Sequence, residues 1–140
     1  MSIKTKVSKS TLQGIKEAII QSGIQKVVVG SIVFDKYGRV LLLERASDEF
    51  KGGLTELPSG KMEESEDLLD GLVRELKEET GLKAILVERY VGYFDYLSSS
   101  GKKTRQLNFV VLVASGDVKI NPEEHSNYYF VDSKSDMFAL

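Results

Sequence analysis

The sequence predicts an α+β fold in which helices cover a mixed β-sheet, an α/β/α sandwich within a single domain over residues 1–140. Three observations predict it. Residues 26–35, KVVVGSIVFD, are β-branched and almost continuously apolar, as a strand buried on both faces would be. Residues 83–98 and 104–115 read as two long strands around a short polar turn at Ser99–Lys103, which makes them an antiparallel pair. Between these blocks, Leu69, Leu72, Val73, Leu76 and Thr80 recur at helical spacing. No internal repeat or linker divides the chain, and its 140 residues suffice for one core but hardly two.

Taken in order, residues 1–24 form an N-terminal extension whose first nine residues are basic, polar and loose. Leu12, Ile15, Ala18 and Ile19 then mark a helix from Ser10 or Thr11 to Ser22, with Gly23 as its stop. That helix either packs on the sheet or makes a dimer contact. The strand at 26–35 should be central. A turn at Asp35–Gly38 leads into a second strand at Arg39–Arg45, and residues 46–56 form a loop that runs into Leu57, Pro58, Ser59 and Gly60. Pro58 fixes its own φ and biases Leu57 to extended geometry, while Gly60 permits close backbone approach. After the antiparallel pair comes a polar loop, 116–126, and a last strand at Asn127–Asp132.

Composition removes several function classes. Nineteen basic and twenty-one acidic residues leave a net charge of −2, with no basic block for a nucleic-acid polymer. Cysteine is absent, which removes disulfides, thiolate nucleophiles and cysteine-type zinc sites. No apolar run approaches the roughly 20 residues needed to span a bilayer, and the N-terminus lacks a secretion-type apolar core, so the expected setting is cytoplasmic, with no membrane partner. A small soluble molecule is the expected partner, and the chain is expected to be a monomer or homodimer.

The chemistry is expected between Leu57 and Leu82. With Glu75 at zero and about 100° per residue, Glu78 falls near 300° and Glu79 near 40°, so the three acids share one helix face beside the apolar stripe. Like charges at these spacings repel by a few tenths of a kcal/mol per pair, so stability alone disfavours the arrangement. A bound cation reverses the sign. Converging carboxylate oxygens suit a hard divalent ion, Mg2+ with Mn2+ as the second choice. The bland reading, a charged solvated helix ending at Gly81, does not explain the glycine loop, Glu66, Arg74 and the clustered acids together.

The stretch resembles the signature of the Nudix hydrolases, G-x5-E-x7-R-E-U-x-E-E-x-G-U with U aliphatic. Gly60, Glu66, Arg74, Glu75, Leu76, Glu78, Glu79, Gly81 and Leu82 fill every fixed position. The resemblance implies the Nudix-type sandwich and a Mg2+-dependent hydrolase that cleaves a pyrophosphate linkage in a nucleoside diphosphate-linked compound. The favoured substrate is a nucleoside triphosphate, oxidised ones included, cut to the monophosphate and pyrophosphate. A non-catalytic nucleotide-sensing module, or a hydrolase of nucleotide sugars or dinucleoside polyphosphates, is the alternative. Isoprenyl diphosphate isomerases share the fold but use a cysteine that this chain lacks.

Residue by residue, the resemblance implies Glu75, Glu78 and Glu79 as metal ligands, joined by the Ser59 carbonyl where relatives often have a second glycine. Glu78, Glu79 or Glu124 takes the proton from the attacking water; Glu124 precedes Phe130 by six residues, and Glu123 is the reserve. Arg74 orients the carboxylates, and Glu66, opening the helix, is scaffold. Arg45 and Lys61 are candidates for phosphate contact, although Lys61 reads equally well as an exposed loop lysine. Phe94 and Asn108, with Tyr93 and Tyr96 beside them, are candidates for contact with a planar group. Thr55, where relatives often carry tryptophan, weakens any stacking inference there. The lone His125 reads as a solvent-exposed loop residue more readily than as a base. Relatives often close with a long helix for which 133–140 is too short; the N-terminal helix fills that space.

Overall fold

A computed structural model describes residues 2–46 and 52–132. Residues 47–51 of the loop expected at 46–56, and the closing segment 133–140, lie outside the described residues. Helix α1 spans Lys9–Gln21, slightly earlier than expected, because Ser8 Oγ caps it by accepting from the Thr11 N–H at 3.1 Å. Gly23 follows its end with φ 65°, the left-handed geometry of a stop.

The strands make two sheets. Strand β1 (Lys26–Ile32) lies inside a four-stranded sheet ordered β4-β1-β6-β5, where β4 is Ser59–Lys61, β5 Ala84–Leu97 and β6 Lys103–Val113. The sheet is mixed: β1 runs parallel to β6 and antiparallel to β4, while β5 and β6 form the expected antiparallel hairpin. Both faces of β1 are covered through Val28, Val29, Gly30 and Ser31, as its unbroken apolar run requires. Strands β2 (Arg39–Arg45), β3 (Thr55–Glu56) and β7 (His125–Asp132) form a second, antiparallel sheet ordered β3-β2-β7. Strand β7 begins two residues before the alternation suggested, because it pairs with β2 through an irregularity at Glu44/Arg45 that sets His125 opposite Arg45.

Helix α2 covers Leu68–Thr80. Its cap is Asp67, which accepts from the Leu69 N–H at 3.2 Å, so Glu66 stands just outside the helix instead of opening it. Leu68, Leu69, Leu72 and Leu76 sink into one core with Val29, Leu41, Leu43, Val87, Leu107 and Phe109, and Ile15 joins that core from α1. Docking α1 on the sheet is therefore the packing role expected for it. Helix α2 ends where Gly81, at φ 74°, returns its N–H to Lys77 O. Among the described residues, no helix is long and apolar enough to cross a membrane.

Candidate active site

The site begins with a fit between β4 and α2. A Cβ at Gly60 would run into the carboxylate of Glu75, so only glycine lets the helix lay that carboxylate against the strand backbone. One residue earlier, the Ser59 N–H donates to Glu79 Oε1 at 2.7 Å. Ser59 is not among the residues with positive φ, so its backbone meets the condition for a serine to present a carbonyl there. The same residues build the loop as a strand: Val28, Val29 and Gly30 pair with Lys61, Gly60 and Ser59.

Arg74 organises one side of the acids. Its guanidinium meets Glu66 through Nε at 2.8 Å and Nη2 at 2.9 Å, reaches Glu75 Oε1 at 2.9 Å and Glu78 Oε2 at 3.2 Å through Nη1, and donates to Lys61 O at 3.1 Å. The fork is fully used, as expected of an orienting arginine, and these partners raise its pKa. The same bonds hold the Glu66 carboxyl below its ordinary range. Glu75 is pushed up by burial despite Arg74, with Glu78 and Glu124 adding repulsion.

On the other side, Glu79 has no ion pair among the described residues. Glu79 is only 8% exposed. Burial pushes its pKa up to about 8, with Glu56, Glu75 and Glu124 adding repulsion and the Ser59 N–H opposing them. Glu124 and His125 come to it from the loop before β7: a carboxylate oxygen of Glu79, one of Glu124 and a ring nitrogen of His125 all lie within 4.8 Å of one another. His125 is 2% exposed, not the solvated loop histidine expected. Its Nε2 contacts Glu56 Oε2 at 2.8 Å, and Arg45 Nη1 reaches the same oxygen at 3.1 Å.

Glu56 is the member that sequence reasoning missed. Paired opposite Leu43 on β3, it ties Arg45 to His125 and lies close enough to Glu79 to raise its pKa. It also lines a cavity of about 810 Å³ together with Lys26, Arg45, Phe94, Tyr96 and Gln106. The only signal in the sequence was an acid two residues before Pro58, which a two-residue strand does not make legible.

The remaining sequence candidates scatter. Phe94 and Tyr96 stack with centroids 5.7 Å apart on the cavity wall. Asn108 accepts from Gln106 Nε2 at 2.9 Å, and it is Gln106 that lines the cavity. Tyr93 faces elsewhere, with its ring 4.0 Å from the Arg105 guanidinium and beside α1. Lys61 is exposed on β4, and Glu123 turns its N–H to Asn121 Oδ1.

Comparison with known proteins shows the family of the chain. The NUDIX domain model matches residues 24–135. The chain belongs to the Nudix family. Residues of this Nudix chain are 31% identical over 100 positions to Nudix hydrolase 2 of Arabidopsis thaliana, covering 71% of this chain and 35% of that protein. They are 34% identical over 65 positions to the CTP pyrophosphohydrolase of Escherichia coli (strain K12), covering 46% of this chain and 48% of that one. The chain thus spans between a third and a half of the length of these relatives. Among solved structures, the MutT protein from Methanosarcina mazei Go1 superposes with a TM-score of 0.68 at 29% identity, over 76% of this chain and 75% of that chain.

Proposed function

We propose that this Nudix domain hydrolyses a pyrophosphate linkage in a nucleoside diphosphate-linked compound, with a nucleoside triphosphate, oxidised forms included, as the favoured substrate. The observation that carries the proposal is the convergence of Glu75 and Glu79 on the Ser59–Gly60 backbone with Glu124 beside Glu79, and Glu79 is buried and without an ion pair among the described residues. Buried, mutually repelling carboxylates lower stability unless a cation joins them. The donor set fits a divalent ion, Mg2+ or Mn2+, held by Glu75, Glu78, Glu79 and the Ser59 carbonyl. When bound, such an ion screens phosphate charge, polarises phosphorus and acidifies water.

The chain's own groups then divide the work. Arg74 fixes Glu75 and Glu78 from one side, and the Ser59 N–H fixes Glu79 from the other. A carboxylate, Glu124 or one of the helix acids Glu78 and Glu79, takes the proton as water attacks phosphorus and the bridging P–O bond breaks. The monophosphate and pyrophosphate leave. Arg45 and Lys61 are the cations proposed for the phosphates, and the cavity walled by Phe94, Tyr96 and Gln106 is proposed to take the planar group. The named activity of the E. coli relative, on CTP, supports the triphosphate class. The partner is a small molecule, not a nucleic-acid polymer.

A pyrophosphate-release assay over nucleoside triphosphates, nucleotide sugars and dinucleoside polyphosphates tests the reading. Mg2+-dependent turnover of a triphosphate, abolished by chelator, is the expected result. Tight nucleotide binding with no turnover of any compound would replace it with the sensing-module alternative.

A further inference from the structure

We propose that Nδ1 of His125, together with the carboxylates of Glu79 and Glu124, forms a mixed nitrogen–oxygen site for a borderline divalent ion such as Mn2+, Co2+ or Zn2+. The observation behind it is an orphan atom. His125 is 2% exposed, its Nε2 is engaged by Glu56 Oε2 at 2.8 Å, and its Nδ1 is buried with no hydrogen-bond partner among the described residues. A buried polar atom left unsatisfied costs about 1–3 kcal/mol, so a native fold keeps one where something else satisfies it.

The tautomer follows from the neighbours. Glu56 accepts from Arg45 Nη1 on both oxygens, at 3.1 and 3.3 Å, and so meets the ring as an acceptor. The imidazole must therefore donate through Nε2–H, and Nδ1 carries the free lone pair. A carboxylate that fixes one ring nitrogen so that the other can bind a metal is the usual support of a histidine ligand. The acids supply the rest: one oxygen each from Glu79 and Glu124 and a ring nitrogen of His125 all lie within 4.8 Å of one another. Ligands about 2.0–2.2 Å from a common ion stand roughly 3–4 Å apart, so a small closure brings the three into coordination.

The backbone holds this geometry in place. The Glu124 and His125 N–H groups both donate to Asn121 O, at 3.0 and 2.9 Å, and the Ala46 N–H donates to Glu124 O at 2.9 Å. Imidazole nitrogen shifts preference away from Mg2+ toward later first-row ions. The inference rests on the reading of Glu79 as a metal-holding carboxylate, and it adds a nitrogen ligand to a donor set that the sequence presents as oxygen only.

The chain has one histidine, so histidine-specific 15N labelling gives one ring in the spectrum. In the metal-free full chain, Nε2 should be protonated and Nδ1 not. Adding Zn2+ should move the Nδ1 resonance strongly, and 113Cd2+ should split it by direct 113Cd–15N coupling, while Mg2+ leaves it in place. By calorimetry, His125→Gln should weaken Zn2+ binding by about tenfold or more. Mg2+ binding should change by less than about threefold, since oxygen donors remain. A proton on Nδ1 without metal, a resonance unmoved by Zn2+ and 113Cd2+, or unchanged Zn2+ affinity in His125→Gln overturns the proposal. If the variant does not fold, the coupling in the unaltered chain decides alone. Mg2+-dependent pyrophosphate release with an unmoved Nδ1 would sink this inference and leave the proposed function standing.

Discussion

The two flanks of the acidic cluster differ in how their charge is met. On one, Arg74 reaches Glu66, Glu75 and Glu78, and Glu66 titrates below its ordinary range. On the other, Glu79 is buried beside Glu56, Glu75 and Glu124, receives one backbone N–H, and is pushed up to about 8. On the first flank each acid has a bond to Arg74, although burial still pushes Glu75 up. The second is an unfinished network, and that incompleteness marks it as the place where a ligand enters. A cluster of acids therefore does not say which member is scaffold and which is chemical; the distribution of countercharge does.

Removing the charge on the unfinished flank should have the largest effect. Glu79→Gln keeps the shape and the Ser59 bond while deleting a metal-binding charge, and should lower kcat roughly a thousandfold. Its stability without metal should hold or rise, because the buried charge it removes is penalised in the fold. Steady-state turnover and thermal melts check both parts. Unchanged turnover would erase the distinction between the flanks.

Arg74→Lys attacks the completed flank and should do less. Lysine cannot reproduce the fork to Glu66, Glu75, Glu78 and Lys61 O, so the acids lose orientation but keep their charge. Turnover should fall about 10- to 100-fold, with metal affinity falling alongside it. A greater loss than in Glu79→Gln, measured in the same assay, would reverse the assignment of scaffold and chemistry.

A third substitution sharpens the boundary of the unfinished flank. Glu124 contributes an oxygen to the cluster with Glu79 and adds repulsion to Glu75 and Glu79, whereas Glu123 turns its N–H to Asn121 Oδ1. Glu124→Ala should slow turnover roughly tenfold or more and flatten one limb of the pH–rate profile, while Glu123→Ala stays within about twofold. Binding of a non-hydrolysable analogue should change less than turnover in both. If neither acid matters, the base comes from α2, and Glu78 becomes the choice.

How much of this was legible in the sequence varies by element. The apolar run of β1, the long β5–β6 hairpin and the stripe Leu69–Leu72–Leu76 were legible because each depends on a local period. The acids of α2 and the need for Gly60 were legible through motif spacing. Glu56 and His125 were not: their positions depend on a two-residue strand and on the irregular pairing opposite Arg45, which no local period records. Asp67 displaced Glu66 as the cap because Glu66 is held by Arg74, eight residues away, a contact formed only in the folded helix.

The smallest effect separates the flanks by pH. A carboxyl whose folded pKa is raised, here Glu79 from 4.5 to about 8, contributes stability that is fully present below 4.5 and lost as pH rises toward about 8. Glu66 has the opposite sign: its pKa is lowered, so its contribution is present above 4.5 and lost in more acidic solution. The metal-free chain should therefore lose several degrees of Tm between about pH 5 and pH 8, chiefly from Glu79, with the raised Glu75 carboxyl adding to the loss. A divalent ion favours the deprotonated carboxylate, so the Tm increment produced by saturating Mg2+ or Mn2+ should grow across the same window. Glu79→Gln should flatten both trends, and Arg74→Lys should leave the alkaline loss in place. Melting curves at a series of pH values, with and without metal, measure all of this directly. A metal-free Tm that stays level or climbs from pH 5 to pH 8 would mean that Glu79 is already neutralised by a partner within the protein, and the flanks would no longer differ in kind.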